Sequence, residues 1–105
     1  MTDISAVIVN WNSGSILRSS VESLLAEEGL EVVVVDNASS DGSMRALRAF
    51  EDRIQVIANV ANVGFAAAIN QAFRSTGAPL VLILNPDVRA RPGGVRSLAR
   101  VFDEQ

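Results

Sequence analysis

The chain has 105 residues, 49% apolar and 20% charged, with a net charge of −3 and no cysteine or histidine. All nine basic residues are arginine, against twelve acids, so lysine is absent too. These absences exclude disulfides, thiolate and imidazole metal sites, Ser-His triads, Schiff-base chemistry and a P-loop lysine, and the scattered arginines leave no footprint for nucleic acid.

The length suits one small domain or a piece of a larger one. No run of about 18 apolar residues reads as a membrane span. The opening "MTDISAVIVNWN" has no basic stretch ahead of its apolar run, which argues against a signal peptide. A reducing compartment follows by default.

Four apolar runs follow one another: "ISAVIV" (4–9), "EVVVVD" (31–36), "IQVIA" (54–58) and "PLVLIL" (79–84). The first, second and fourth are near-continuous in Val, Ile and Leu, as in strands covered on both faces. Between them the apolar spacing is helical. Ile16, Leu17, Val21, Leu24 and Leu25 mark a first helix. Met44, Leu47 and Phe50 mark a second, and Phe65, Ile69, Ala72 and Phe73 a third. A fourth is expected over 93–103, with Val95, Leu98, Ala99 and Phe102 on one side. Gly29 and Gly77 read as helix stops, and Ser39 to Ser43 supply caps. The order βαβαβαβα predicts an α/β fold with a mainly parallel sheet.

Ligands of open parallel sheets sit at the carboxyl ends of the strands. Those ends read "NWNSG" (10–14), "DNASSDGS" (36–43), "NVANVG" (59–64) and "NPDV" (85–88). Such residues are common in loops because they cap and turn well. Four of these loops on one edge point instead to a binding edge. Trp11, the only tryptophan, can stack on a base between the amides of Asn10 and Asn12, or pack on a neighbouring loop. Asp36 stands where doubly wound folds receive a nucleoside's polar groups. Asp41 is assigned mainly to capping. Gly64 opens the third helix, whose free N–H groups can face an anion. Asn70, an amide in mid-helix, requires a partner. Asp87, with Asn85 beside it and Pro86 stiffening the turn, can hold a hard cation such as Mg²⁺ or Mn²⁺ whose other ligands are waters and phosphates.

Taken in order, "VIVNWNS", "VVVDNASSDGS", "NVGFAAAINQA" and "LNPD" resemble the motifs of a family 2 glycosyltransferase of the GT-A fold over nearly the whole chain. Val9, Asn10, Trp11 and Asn12 stand where Pro-Thr-Tyr-Asn is common in that family, and "NPD" stands in place of Asp-X-Asp, as in members resembling rhamnosyltransferases. The resemblance implies a three-layer Rossmann-like fold and an inverting transfer from a UDP- or dTDP-linked sugar to a hydroxyl of a saccharide or lipid-linked saccharide, as in cell-wall or polysaccharide biosynthesis. On it, Asn10, Trp11, Asn12, Asp36, Asn37, Gly64 and Asn85 would border the nucleotide, and Asp87 would hold Mn²⁺ or Mg²⁺. It also implies a cytoplasmic location, or the cytoplasmic face of a membrane.

In the family, the acceptor half and the catalytic base follow the NPD position. Residues 1–105 are therefore expected to be the nucleotide-sugar-binding portion, with no base to nominate among them. A nucleotidyltransferase would need a basic Gly-rich loop after the first strand, and a dehydrogenase Gly-x-Gly-x-x-Gly; neither is present. The rival reading is a non-catalytic nucleotide-binding or interaction module of the same fold. Oligomeric state is not legible from these residues.

Overall fold

The computed structural model describes residues 4–103, with side chains through Arg100. The elements are β1 (Ile4–Asn10), α1 (Ile16–Leu25), β2 (Leu30–Asp36), a 3₁₀ segment (Ser43–Phe50), β3 (Ile54–Ala58), α2 (Phe65–Ser75), β4 (Leu80–Leu84) and α3 (Gly94–Asp103). The strands form one parallel sheet in the order β3-β2-β1-β4. No helix among the described residues is long and apolar enough to cross a membrane.

Because side chains alternate along a strand, the two faces of the sheet build two cores. On one face Ile4, Ala6, Ile8, Val32 and Val34 pack against Leu17, Val21 and Leu24 of α1, Leu47 of the 3₁₀ segment and Val95 of α3. On the other, Val7, Val33 and Val35 meet Ala68, Ile69 and Ala72 of α2. β1 and β2 lie in the middle of the sheet and their valines are buried, apart from the partly buried Val9, which accounts for their unbroken apolar runs.

Four details differ from the sequence reading. The second helix is 3₁₀, with Arg45 N–H donating to the Gly42 carbonyl at 3.0 Å, three residues back. Met44, Leu47 and Phe50 recur at strict three-residue steps, and a helix of three residues per turn stacks them on one side. β4 is an edge strand and is only partly covered: Leu80 and Leu82 pack half-buried against one core and Val81 against the other, and Ile83 is 42% exposed. In α2 the sheet-facing stripe is Ala68, Ile69 and Ala72, whereas Phe65 and Phe73 are about half exposed. The small side chains seat this helix against three valines and leave the aromatic rings at its flanks. Finally, Asn70 is exposed, so its mid-helix amide is open to solvent. In α3, Val95 is buried and Leu98 half exposed; the Phe102 side chain lies outside the described residues.

Ile69→Ala is expected to lower stability by about 2–5 kcal/mol. Phe73→Ala should cost clearly less, since its ring is already half in water. Denaturant unfolding of the two variants checks the assignment.

Candidate functional site

Register brings the chemistry to one edge. Asn10 pairs with Asp36, and Asp36 with Ala58, so the last residues of β1, β2 and β3 lie in a row. Ile8 pairs with Leu84, and the loop after β4 leaves from the same edge. The backbone continues the row, with Asn37 N–H donating to the Asn10 carbonyl at 2.8 Å and Asn59 N–H to the Asp36 carbonyl at 2.9 Å.

The loops after β1 and β2 are laced together. Asn12 N–H donates to Ser39 Oγ at 2.9 Å, and Ser40 N–H donates to Asn12 Oδ1 at 2.8 Å. Asp41 accepts from Ser43 N–H at 2.9 Å through one oxygen and from Gly14 N–H at 2.8 Å through the other. It therefore caps the 3₁₀ segment and also ties down the first loop. Hydrogen bonds from the Ser43 side chain and backbone hold the Asp41 carboxyl below its ordinary 3.8, with Gly14 assisting. Two residues without glycine's freedom adopt left-handed backbone here: Asn12 at φ 51° and Ala38 at φ 66°. An alanine in this region costs about 1–2 kcal/mol, borne by the surrounding bonds.

Asp36 is 8% exposed and heads an open cleft of about 250 Å³ between the 3₁₀ segment and β3, lined also by Met44, Arg48, Val56 and Ala58. Its Oδ1 accepts from Asn10 Nδ2 at 3.1 Å. That same nitrogen lies 3.1 Å from Ser39 Oγ and 2.9 Å from Ser43 Oγ. Asn10 is fully buried, and its Oδ1 has no partner among the described residues. A buried amide oxygen left unpaired costs about 1–3 kcal/mol.

A second set of amides fixes the loop before α2. Asn37, 2% exposed, donates to the Gly64 carbonyl at 3.2 Å and accepts from Asn59 Nδ2 at 3.0 Å. Asn59 and Gln71 exchange a reciprocal pair at 2.9 and 2.8 Å. Gly64 has φ 87° and ψ 169°, a conformation essentially confined to glycine. A Cβ there would meet nothing within 4 Å, so its glycine answers to backbone conformation rather than to close packing.

The loop after β4 is a turn closed by Val88 N–H donating to the Asn85 carbonyl at 3.0 Å, with Pro86 at its first corner. Asn85 and Asp87 are exposed. Downstream, α1 steadies this loop: Ser23 Oγ accepts from Ala90 N–H at 2.9 Å, and the Glu27 carboxylate accepts from Gly93 and Val95 N–H at 3.2 and 3.4 Å. Among the described residues no three acidic, histidine or cysteine side chains gather as a closed metal site. One free carboxylate with an amide beside it, all oxygen donors, fits a hard cation that takes its other ligands from a diphosphate and water.

The residues expected at the nucleotide therefore divide. Trp11 is 57% exposed; Asn12, Asn85 and Asp87 also face solvent. Asp36 lies at the rim of its cleft. Asn10 and Asn37 are enclosed, with their amides turned to protein. The sequence reading passed over Ser39, Ser43, Asn59 and Gln71 as linking residues. The recurrence of Ser and Asn at strand ends was the available signal.

Residues 5–105 match the family model described as Glycosyl transferase family 2. The chain belongs to this glycosyltransferase family. It is 37% identical over 101 residues to the succinoglycan biosynthesis protein ExoU of Rhizobium meliloti, a match covering 92% of this chain and 30% of that protein. To the N-acetylglucosaminyl-diphospho-decaprenol L-rhamnosyltransferase of Mycobacterium tuberculosis it is 28% identical over 112 residues, covering 93% and 36%. The mannosyltransferase PcManGT from Pyrobaculum calidifontis, solved in complex with GDP-Man and Mn²⁺, superposes with a TM-score of 0.79 at 23% identity, over 87% of this chain and 29% of that one. The fold is GT-A, and this family 2 chain spans about a third of the length of the curated relatives it matches.

Two outcomes follow from this geometry. Gly64→Ala should destabilise the chain by about 1–3 kcal/mol through its backbone alone, read as a fall in unfolding midpoint. Asp41 has a depressed folded pKa, so its contribution is present above 3.8 and is lost as pH falls through the lower folded value. Asp41→Asn should therefore lower the melting temperature at neutral pH, and the gap should close in acid.

Proposed function

We propose that this chain is the donor-binding portion of an inverting glycosyltransferase that moves a sugar from a UDP- or dTDP-linked donor to a saccharide or lipid-linked saccharide hydroxyl. The observation that carries the reading is the carboxyl edge itself. There, a nearly enclosed Asp36 at the end of β2 and an exposed Asp87 on the proline turn after β4 rise from one edge of the sheet, on either side of β1.

On this reading Asp36 takes the polar edge of the nucleoside from the mouth of its cleft, and Trp11 lies against the base with its ring free to stack. The loop before α2, held by Asn37 and Asn59, borders the donor with backbone rather than side-chain groups. Asp87, with Asn85 assisting, would hold Mn²⁺ or Mg²⁺ at the diphosphate. A bound divalent cation supplies Lewis-acid stabilisation of the departing nucleoside diphosphate. The Mn²⁺ and GDP-Man carried by the Pyrobaculum mannosyltransferase, whose fold this chain shares, support a metal-assisted nucleotide-sugar site. The succinoglycan and decaprenol-linked relatives support a role in polysaccharide or cell-wall assembly; a cytoplasmic location, or the cytoplasmic face of a membrane, is part of the same proposal. No residue of this chain is assigned as the base, and a chain that includes an acceptor half would be needed for turnover.

Isothermal titration of the folded chain with UDP, dTDP, GDP and ADP, each with Mn²⁺ and with EDTA, tests the site. Metal-dependent binding favouring the pyrimidine nucleotides is expected. Asp87→Ala should abolish that dependence and leave the far-UV circular dichroism unchanged. No binding by a folded wild-type chain would mean that the donor site needs an acceptor half or that the chain is an interaction module, and unchanged Mn²⁺ dependence in the variant would overturn the metal assignment.

A further inference from the structure

Asn10 is the least comfortable polar residue described. Its side chain is fully buried at the end of β1, its nitrogen faces three oxygens, and its own oxygen faces none. An amide nitrogen carries only two hydrogens, so Asp36 Oδ1, Ser39 Oγ and Ser43 Oγ share them. Turning the amide over would remove the surplus. The amide oxygen would then accept from both serine hydroxyls, which can rotate to donate. One contact forbids this. The reversed amide would set an oxygen against Asp36 Oδ1, and two acceptors repel where an N–H to a carboxylate attracts strongly. The carboxylate thus dictates the amide's orientation, and the orphaned oxygen is its consequence. A buried group left unsatisfied in this way calls for a reason.

We infer that Asn10 is a positioning residue that acts on the nucleotide through Asp36. It occupies Oδ1 from below, while Oδ2 has only a long 3.4 Å contact from Ser39 N–H. The carboxylate is left with one oxygen committed to protein and one weakly held, at the mouth of a cleft. The same amide binds both serines of the loop after β2, and Ser39 in turn takes the Asn12 N–H beside Trp11. Asn10 therefore sets the carboxylate and the stacking loop in one relation without reaching the ligand. Its ligand half rests on the donor-site reading above.

The test uses Asn10→Leu, which keeps similar volume and removes both polar atoms of the amide. The variant is made in the wild-type background and in Asp36→Asn, and each chain is measured for UDP binding with Mn²⁺ and for urea unfolding. A positioning role predicts at least a tenfold loss of UDP affinity in the wild-type background. It predicts no further loss in Asp36→Asn, and an unfolding midpoint that falls in the wild-type background, where the Asp36 oxygen loses its donor, and falls less in Asp36→Asn. Equal losses of affinity in both backgrounds would mean that Asn10 acts on the ligand or on the loops independently of Asp36, and would overturn the inference. So would an equal fall of the unfolding midpoint in both backgrounds. Asn10→Ser, smaller and still polar, carries the same cycle if the leucine variant does not fold. If the folded wild-type chain binds no UDP, the donor-site reading fails and the ligand half of the inference with it. The unfolding cycle then decides the remaining half: coupling between Asn10 and Asp36 supports the tether, and strict additivity overturns it.

Discussion

The pairing of Asn10 with Asp36 across β1 and β2 is the constraint on which the carboxyl edge depends. Both residues end central, largely buried strands, and both side chains fall on the same face as Ile8 and Val34 because strand side chains alternate. A slip of one residue in that ladder would turn the carboxylate to the opposite face and drive a valine into a polar niche. The apolar packing of α1 and α2 on the two faces thus enforces the position of a polar pair that packing energy alone would disfavour.

From that pair the loops are built outward in two layers. The inner layer is hydrogen-bonded and enclosed. Asn10, Asn37, Ser39 and Ser43 turn their polar groups into the protein, with Asn59 and Gln71 pairing beside them. The outer layer is open, with Trp11, Asn85 and Asp87 in solvent and Asp36 between the two. A site made this way keeps its ligand-facing groups few and its supporting groups many, which is what holds side chains in place on loops without a metal or disulfide.

The two halves of the edge are steadied differently. The loops after β1 and β2 hold one another directly, through Asn12, Asp41 and Ser39. The loop after β4 has no such partner at its tip and is tied behind it, to Ser23 and Glu27 on α1. β4 is also an edge strand, with Ile83 half open to solvent. The carboxylate assigned to the cation therefore stands on an exposed turn. That suits a group that shares its cation with a diphosphate and water.

The α/β class, the order of four strands and the four polar loops were legible from sequence, because strand runs and helical spacing are local and β1 and β2 are buried enough to read as unbroken apolar stretches. Asp36 and Asp87 were legible too, as carboxylates at strand ends. Tertiary structure decided what spacing does not encode. α2 faces the sheet with alanines instead of phenylalanines because a close helix needs small side chains. The second helix is 3₁₀, and its strict three-residue period was a signal already present in Met44, Leu47 and Phe50. Asn10, Trp11 and Asn12 are adjacent in the chain and share one composition, yet the first is sealed beneath Asp36 and the other two face water. Only the alternation of β1, ending at Asn10 against a neighbouring strand, separates them, and that neighbour lies 26 residues away in sequence.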